Sequence, residues 1–327
     1  MKPQVSVIIP AYNTEKTISK TLQAVLSQDF PKNQFEVLVV DDGSTDNTKK
    51  IVSKFKRVKL ISIRHSGPAK ARNTGAKLAK GEIIVFTDSD CIPKKNWLKS
   101  LVLPFKDKDI VCVAGSYATL NKNKLIARFI GFEIEYRHQK MKKFKTIDFV
   151  GSYNCAYKKF IFKKFHGFDE SFIVASGEDT ELSYRIKDAG YKVIFKPKAM
   201  VFHPHPDNLL TYIKQKYNRA FWKVLLYKKH PKKMFGDRYT PRTLFPQILL
   251  SGLGILSLIL SVFSAIFVYL FGLLIILSLL LDVEFYTFLW KKDKSLFFLS
   301  PLIIFLRNCF SLVAIFHGGF FFLIKKI

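Results

Sequence analysis

The stretch EIIVFTDSDCIP, residues 82–93, places two carboxylates directly after a run of apolar side chains. Near-continuous apolar runs are typical of strands that are buried on both faces of a sheet. In an open α/β sheet, ligands bind beyond the carboxyl ends of the strands. Asp88 and Asp90 occupy that position, so the stretch predicts a buried strand that carries chemistry at its end.

Three other predicted strands, each followed by a predicted helix, precede residues 82–93 in the chain. Apolar runs at residues 5–10, 35–40 and 58–63 are each followed by an amphipathic helical pattern. This alternation predicts an α/β fold with a mostly parallel sheet and helices on both faces. Three of the four strands end in polar, acidic or small residues: Pro10-Ala11-Tyr12-Asn13, Asp41-Asp42-Gly43-Ser44 and Asp88-Ser89-Asp90. Such acids can cap the following helices, but two acidic strand ends at one edge favour a binding site.

The spacing of the D-x-D pattern indicates how a phosphorylated ligand could bind. No G-x-G-x-x-G and no G-x-x-x-x-G-K follows any predicted strand, so neither glycine-rich phosphate loop is present in the sequence. Residues i and i+2 of an extended chain stand roughly 7 Å apart. One carboxylate can therefore bind a divalent cation while the other contacts a ribose or a metal-bound water.

The charge of the chain indicates an anionic partner. The 327 residues include 53 Lys+Arg and 25 Asp+Glu, a formal net charge of +28. Nucleic acid, a phospholipid surface or a phosphorylated substrate would each fit this balance. The four cysteines are far apart and have no zinc spacing, so we expect reduced, packed thiols.

The last third of the chain is apolar enough to enter a membrane. Residues 244–281 contain no Asp, Glu, Lys, Arg or His, which predicts one very long helix or a hairpin of two. A second apolar run, residues 296–324, is interrupted by Arg307 and His317 and could span, re-enter or lie shallow. We therefore divide the chain into a catalytic domain (1–210), a basic interfacial segment (211–243) and a transmembrane region of two or three helical segments (244–327).

Charge asymmetry predicts the orientation of these parts. No basic n-region followed by a long apolar core begins the sequence, so no signal peptide is expected. Residues 1–243 carry 47 of the basic and 22 of the acidic residues. Under the positive-inside rule we expect them to face the cytoplasm, with the chain anchored in the cell membrane as a multi-pass protein. Residues 212–233 form an amphipathic pattern, which fits an interfacial helix or a core-packed helix with a basic outer face.

The motifs together resemble glycosyltransferase family 2, whose members have the A-type nucleotide-sugar transferase fold. The resemblance covers about residues 4–204 and is specific for the family but not for the substrate. It lies in five stretches, in the expected order: PAYNTEKTISKTLQAVLSQ, VVDDGSTDNT, GPAKARNTGAKLAKGEIIVFTDSD, GFDESF and GEDTELSYRIKDAGYKV.

The resemblance implies roles for individual residues in binding the donor. Pro10, Tyr12 and Asp41 would frame the nucleobase, with Asp41 accepting a hydrogen bond from a pyrimidine imide. Asp88 would reach the ribose. Arg72 would line the donor pocket near the base or the diphosphate, although it could also be an exposed arginine of a helix.

Four further residues would complete the site by the same resemblance. Asp90 would bind the divalent cation, Mn²⁺ or Mg²⁺, and His203 would add a ligand unless it lies in a surface loop. Asp179 matches the general base of the family, and Glu178 is its donor-binding neighbour. In a hydroxyl transfer, the base removes the proton of the attacking oxygen.

The apolar C-terminal third and the family resemblance together predict a membrane-bound hexosyltransferase, and the resemblance implies that it inverts the anomeric centre. It would move a sugar from a UDP- or GDP-sugar to a hydroxyl of a lipid-linked or polymeric glycan. A transferase that acts on a polyprenyl phosphate is one alternative, but a phosphate acceptor is already ionised and needs no base. The second alternative is a non-catalytic membrane protein that binds anionic partners. Such a protein would have no need of acidic residues within a basic surface. We expect nucleic acid not to be a partner.

Overall fold

A computed structural model describes residues 2–324, which form two compact units. The N-terminal unit comprises residues 2–120 and 138–204, and the helical unit comprises residues 121–137 and 205–324. The N-terminal unit contains one eight-stranded sheet. Its strands are β1 (Val5–Ala11), β2 (Phe35–Asp41), β3 (Val58–Ser62), β4 (Ile83–Thr87), β5 (Ile92–Pro93), β6 (Ile110–Thr119), β7 (Asn154–Lys158) and β8 (Lys192–His203).

The strand order is β3-β2-β1-β4-β7-β6-β8-β5. The first four strands in this order are parallel, as are β6 and β8, whereas β7 runs antiparallel to both β4 and β6. β5 is also antiparallel, to β8. The predicted α/β fold is confirmed, and the sheet is mixed beyond β4.

Helices pack on both faces of the sheet. The N-terminal unit contains α1 (Ile18–Leu26), α2 (Thr48–Val52), α3 (Pro68–Leu78), α4 (Trp97–Val102), α6 (Lys159–Lys164) and α7 (Glu178–Asp188), while α5 (Leu125–Met141) begins in the helical unit. Side chains Val5, Val7 and Ile9 point to one face, where they join a core with α1 and α4. Ile8 points to the other face, where a Cβ on Gly75 of α3 would stand only 2.5 Å from its Cγ2. Successive side chains of β1 therefore pack alternately against the helices on the two faces of the sheet.

Buried thiols form part of this packing. Cys91, Cys112 and Cys155 are buried, Cys309 is half-buried, and all four are free. Burial raises the pKa of Cys112 well above its usual value because the thiolate would lose its hydration. These cysteines are therefore packed thiols, in agreement with the sequence-based expectation.

The helical unit is built from α8 (Leu209–Lys229), α9 (Leu244–Leu260), α10 (Ile266–Leu280), α11 (Val283–Lys292) and α12 (Lys294–Ile324), together with residues 125–137 of α5. Its core includes Phe129, Tyr212, Phe285 and Ile304. The apolar side of α8 packs within this unit, and the Trp222 ring contacts that of Phe322 at a tilt, with ring centroids 5.6 Å apart. The core-packed alternative for residues 212–233 therefore holds for Trp222, while the interfacial position of the segment stays a prediction.

The apolar run 244–281 forms two helices, α9 and α10, which are separated at residues 261–265 and pack against each other. In residues 2–324, α12 is long and apolar enough to cross a membrane, while α10 and α11 meet that test only together and are bent by 70°. α9 has 17 residues, fewer than the roughly 20 that a span needs. The helical unit exposes large apolar side chains such as Val262, Phe263, Tyr269 and Leu323.

Candidate functional site

The candidate site of the N-terminal unit lies at the carboxyl ends of β1, β2 and β4. β1 lies between the other two, and its last residue, Ala11, is paired with Asp41 at the end of β2. Tyr12, Asp41 and Asp88 therefore follow neighbouring strands at one edge of the sheet. Pro10 is half-buried in β1, and the ring of Tyr12 is 45% exposed, so an apolar group can stack on it.

Asp41 is a buried carboxylate, and one of its two oxygens has no hydrogen-bond partner in the described part of the chain. Its Oδ2 accepts a hydrogen bond from the backbone N–H of Ser44 at 3.2 Å and lies 3.9 Å from Lys49 Nζ. Its Oδ1 is buried and has no hydrogen-bond partner among residues 2–324. A buried, unpaired acceptor costs roughly 1–3 kcal/mol. This oxygen is therefore prepared to accept a hydrogen bond from a ligand.

The structure adds Asp42 and His65, to which sequence reasoning assigned no role. Both carboxylate oxygens of Asp42 accept from the backbone, Oδ1 from Ser66 and Oδ2 from Gly67. Asp42 also lies 2.9 Å from His65 Nδ1. This turn places the His65 ring against Tyr12 with centroids 4.2 Å apart. His65 follows β3 by three residues, and its place beyond a strand end is the signal that could have identified it.

Arg72 connects the turn after β4 to the start of α7. Its Nη2 donates to Asp88 Oδ1 at 2.7 Å, and its Nη1 donates to Glu178 Oε1 at 3.0 Å. The side chain is buried, so it is not the exposed helix arginine that the sequence also allowed. Burial alone lowers the pKa of Arg72, but Asp88 and Glu178 outweigh it and raise the pKa. Its Nε is buried and has no partner among residues 2–324.

Glu178 shares this cation with two other carboxylates. Its Oε2 also accepts from the backbone N–H of Ser176 at 2.9 Å, and the side chain is almost completely buried. Burial and the neighbouring charge of Asp179 raise the pKa of Glu178 to about 7, although Arg72 opposes the shift. The three carboxylates Asp88, Glu178 and Asp179 thus interact electrostatically with one buried guanidinium. Because their negative charge exceeds its single positive charge, protonation of Glu178, the most buried of the three, is favoured.

Asp179 is held in the first turn of α7 by backbone donors. Its Oδ2 accepts from Ser152 at 3.2 Å, and its Oδ1 accepts from Thr180 at 2.7 Å. Ser152 precedes β7, in which Asn154 is paired with Thr87 of β4. Because Asp88 comes directly after Thr87, this pairing brings the contact of Asp179 near the D-x-D turn. Sequence reasoning did not identify Ser152, since the antiparallel position of β7 has no local signal.

Asp90, Cys91 and His203 form a group that could hold a metal ion. Their potential ligand atoms all lie within 4.8 Å of one another, and His203 Nε2 is 3.2 Å from Asp90 Oδ2. Two adjacent ligand atoms of an octahedral cation, each at ~2.1 Å, stand ~3.0 Å apart. Burial raises the pKa of Cys91 well above its usual value, with Asp88 and Asp90 adding to the shift. A buried thiol with a raised pKa gives up its proton less readily, so the carboxylate of Asp90 and the imidazole of His203 are the more available ligands.

The register of β8 explains why His203 lies here. Phe202 is paired with Ile92 in β5, directly after the DSDC turn, and His203 is paired with Thr119 at the end of β6. The ring of His203 also contacts Tyr117 edge-on, with centroids 4.9 Å apart. His203 is thus the last residue of a strand, half-buried, and not part of a surface loop.

Comparison with known proteins identifies the family of this arrangement. The model of Glycosyl transferase family 2 matches residues 6–165. The "Probable glycosyltransferase YdaM" of Bacillus subtilis is 32% identical over 229 residues, which are 65% of this chain and 54% of that protein. The chain therefore spans about half the length of that relative. "Glycosyltransferase AglE" of Haloferax volcanii is 34% identical over 209 residues, 62% of this chain and 67% of that protein.

A solved structure shares the fold. The mannosyltransferase PcManGT from Pyrobaculum calidifontis, solved in complex with GDP-Man and Mn²⁺, is similar with a TM-score of 0.60. The similarity covers 100% of this chain and 88% of that one, at 19% sequence identity. It therefore supports the same architecture of an α/β sheet followed by helices.

Proposed function

Because the chain belongs to glycosyltransferase family 2, we propose that it is a membrane-bound, inverting enzyme that transfers a hexose from a nucleotide-diphosphate sugar. The acceptor is a hydroxyl of a lipid-linked or polymeric glycan. The observation that carries this proposal is the buried Arg72, which binds both Asp88 and Glu178. It holds the D-x-D turn and the start of α7 around one charge, so that a donor site and a base can act on the same sugar.

The donor lies across the strand ends in this proposal. Pro10 and Tyr12 frame the nucleobase, and the unpaired Oδ1 of Asp41 accepts the imide N–H of a pyrimidine. Asp88 hydrogen-bonds the ribose while it keeps its contact with Arg72. The donor is a UDP- or GDP-sugar, and GDP-Man in the similar mannosyltransferase supports this class. The imide contact is available in uracil and also in the N1–H of guanine.

Asp90 and His203 hold the divalent cation, Mn²⁺ or Mg²⁺. Their separation of 3.2 Å suits one cation, and oxygen with imidazole nitrogen is a suitable donor set for Mn²⁺. The Mn²⁺ of the similar mannosyltransferase supports the choice. When bound, the cation neutralises charge on the diphosphate leaving group. Through the bound cation, Asp90 and His203 would fix the position of the donor diphosphate.

Asp179 is the base that accepts the proton of the acceptor hydroxyl. Its position in the first turn of α7 favours the ionised carboxylate through the helix dipole, and two backbone N–H groups fix its orientation. Glu178 holds Arg72 and thereby positions this turn. Attack from the face opposite the leaving group inverts the anomeric carbon.

The helical unit anchors the enzyme in the membrane. α12 has the length and apolarity of a span, and the apolar surfaces of α9 and α10 suit a lipid environment. We assign residues 1–210 to catalysis, residues 211–243 to a basic interfacial segment and residues 244–327 to a multi-pass region. The charge of residues 1–243 favours the cytoplasmic side.

A donor screen with the purified full chain in detergent tests this function. UDP- and GDP-sugars are offered with Mn²⁺, with Mg²⁺ and with excess chelator, and turnover or hydrolysis is measured. We expect metal-dependent turnover of one donor, which Asp90→Ala abolishes without loss of fold. Asp109→Ala is the matched control, because Asp109 is exposed and pairs only at the surface with Lys192. Full activity in chelator would overturn the metal assignment, and no turnover of any donor would overturn the transferase.

A further inference from the structure

The helical unit contains a buried cluster in which cations outnumber acids. Glu133 of α5 accepts from Arg307 Nη1 at 2.8 Å and from Lys216 Nζ at 3.0 Å, and Arg137 Nη2 lies 3.8 Å from it. Glu133 and Arg307 are 5% and 6% exposed. Burying charges costs several kcal/mol per ion unless partners compensate them. One carboxylate serves three cations here, so the cluster is not neutral by itself.

An open recess adjoins this cluster. Its lining includes Glu133, Arg137, Arg307, Gln247, Asp282 and Phe285. Its volume is about 40 Å³. A cavity needs about 10–15 Å³ to hold one water molecule, so the recess admits a group of a few heavy atoms and not a sugar ring. In the lining itself, Glu133 and Asp282 balance Arg137 and Arg307, so any excess positive charge comes from Lys216, which lies beside the recess on Glu133.

Gln247 independently indicates that an acceptor belongs in the recess. The side chain is 2% exposed, and its Nε2 has no hydrogen-bond partner among residues 2–324. Leaving such a donor unpaired costs roughly 1–3 kcal/mol. Its companions in the recess, Arg137 and Arg307, are themselves donors with no acceptor lone pair. Arg307 already donates to Glu133 and Asn308, so a ligand with several acceptor oxygens would satisfy Gln247 and add contacts to the two guanidinium groups.

Lys216 holds its proton less firmly than a free lysine does. Burial lowers its pKa to about 7 although Glu133 opposes the decrease, and Arg137 and Arg307 lower it further. Arg219 also contributes to the decrease. An anion in the recess would compensate this repulsion.

We propose that the recess binds the phosphate group of a membrane lipid, through Arg137, Arg307 and Gln247. A phosphate fits because it is compact and offers acceptor oxygens to forked guanidinium groups. A lipid fits because Gln247 lies on α9, whose Leu249 and Leu253 are 49% and 43% exposed. If the proposed function holds, this lipid is the one that carries the acceptor glycan. The phosphate site itself does not depend on the proposed function. The sugar hydroxyl of a lipid-linked acceptor remains the nucleophile.

Binding to the full chain in detergent tests the site without catalysis. The probes are a polyprenyl phosphate, the same polyprenol without phosphate, phosphatidylglycerol and inorganic phosphate. Gln247→Leu removes the unpaired donor and breaks no side-chain bond of Nε2, so the fold should be preserved. We expect roughly tenfold weaker binding of the polyprenyl phosphate and unchanged binding of the alcohol. Lys232→Gln is the control for general attraction, since Lys232 is an exposed cation of the same unit, and it should change affinity less than twofold.

The outcomes separate the site from its ligand source. Competition by inorganic phosphate, lost in Gln247→Leu, supports recognition of the phosphoryl group. Phosphatidylglycerol that binds as well as the polyprenyl phosphate, with the same sensitivity to Gln247→Leu, supports the site and assigns it to bulk lipid. An undiminished preference for phosphate over alcohol in both Gln247→Leu and Arg137→Gln overturns the proposal. Donor hydrolysis distinguishes the two proposals: it should persist in Gln247→Leu, and its absence in the wild type would refute the transferase alone.

Discussion

Removing the charge of Arg72 should destabilise the N-terminal unit and weaken donor binding together. Arg72→Met leaves Glu178, whose side chain is 2% exposed, without its cation. At pH 8, where the ionised form of Glu178 predominates in the wild type, breaking a buried ion pair by removal of one partner typically costs about 3–5 kcal/mol. Asp88 is 30% exposed and partly solvated, so its loss of Arg72 adds little to this figure. Arg72→Lys keeps the charge but can satisfy only one of the two acids, for which about 1.5–3 kcal/mol is expected.

Thermal unfolding beside donor calorimetry measures both effects. For a unit of this size, 1 kcal/mol corresponds to about 2–4 °C, so Arg72→Met should lower the melting temperature by roughly 6–20 °C. Arg57→Met is the control: Arg57 is exposed, donates to the carbonyl of Lys32 and lies over the ring of Phe35, but it has no buried acid to leave unpaired, so the melting temperature should change little. Adding Glu178→Gln to Arg72→Met should recover part of the loss, since the unpaired charge is gone. An unchanged melting temperature in Arg72→Met would refute the structural argument, and normal donor affinity would refute the link to the donor site.

Three further predictions follow from the site and the charge pattern. Asp179→Asn should keep donor affinity and lower turnover by roughly 10²–10⁴-fold, measured by calorimetry beside kinetics; a near-normal rate would favour the polyprenyl-phosphate alternative. The pKa of Glu178 is raised from 4.5 to about 7 in the folded protein. Between pH 4.5 and pH 7 the folded protein therefore binds more protons than the unfolded chain, so the free energy of unfolding falls as the pH rises through this range. The melting temperature of Glu178→Gln should therefore improve relative to wild type from pH 5 to pH 8, and a constant difference would contradict this. A reporter fused near Lys233 should be active on the cytoplasmic side, and activity only outside the cell would reverse the topology.

The sequence determined much of the fold because its signals are local. Apolar runs of strand length before amphipathic helical patterns identified β1 to β4 within one residue at each end. The same runs located Asp41 and the D-x-D turn at strand ends. The uncharged stretch 244–281 predicted either one long apolar helix or a hairpin of two, because the break at residues 261–265 has no Gly or Pro to mark it in the sequence, and the structure has two helices.

The tertiary structure decided which of these residues meet. Arg72 contacts Asp88, 16 positions away, and Glu178, 106 positions away, and no periodicity records such a pairing. The contact of Asp90 with His203 depends on the register between β5 and β8, which sheet pairing sets. In the helical unit, Glu133 meets Arg307 only because α5 and α12 share one core. Local patterns specify which face of an element is buried, whereas its partners are selected by the packing of all elements at once.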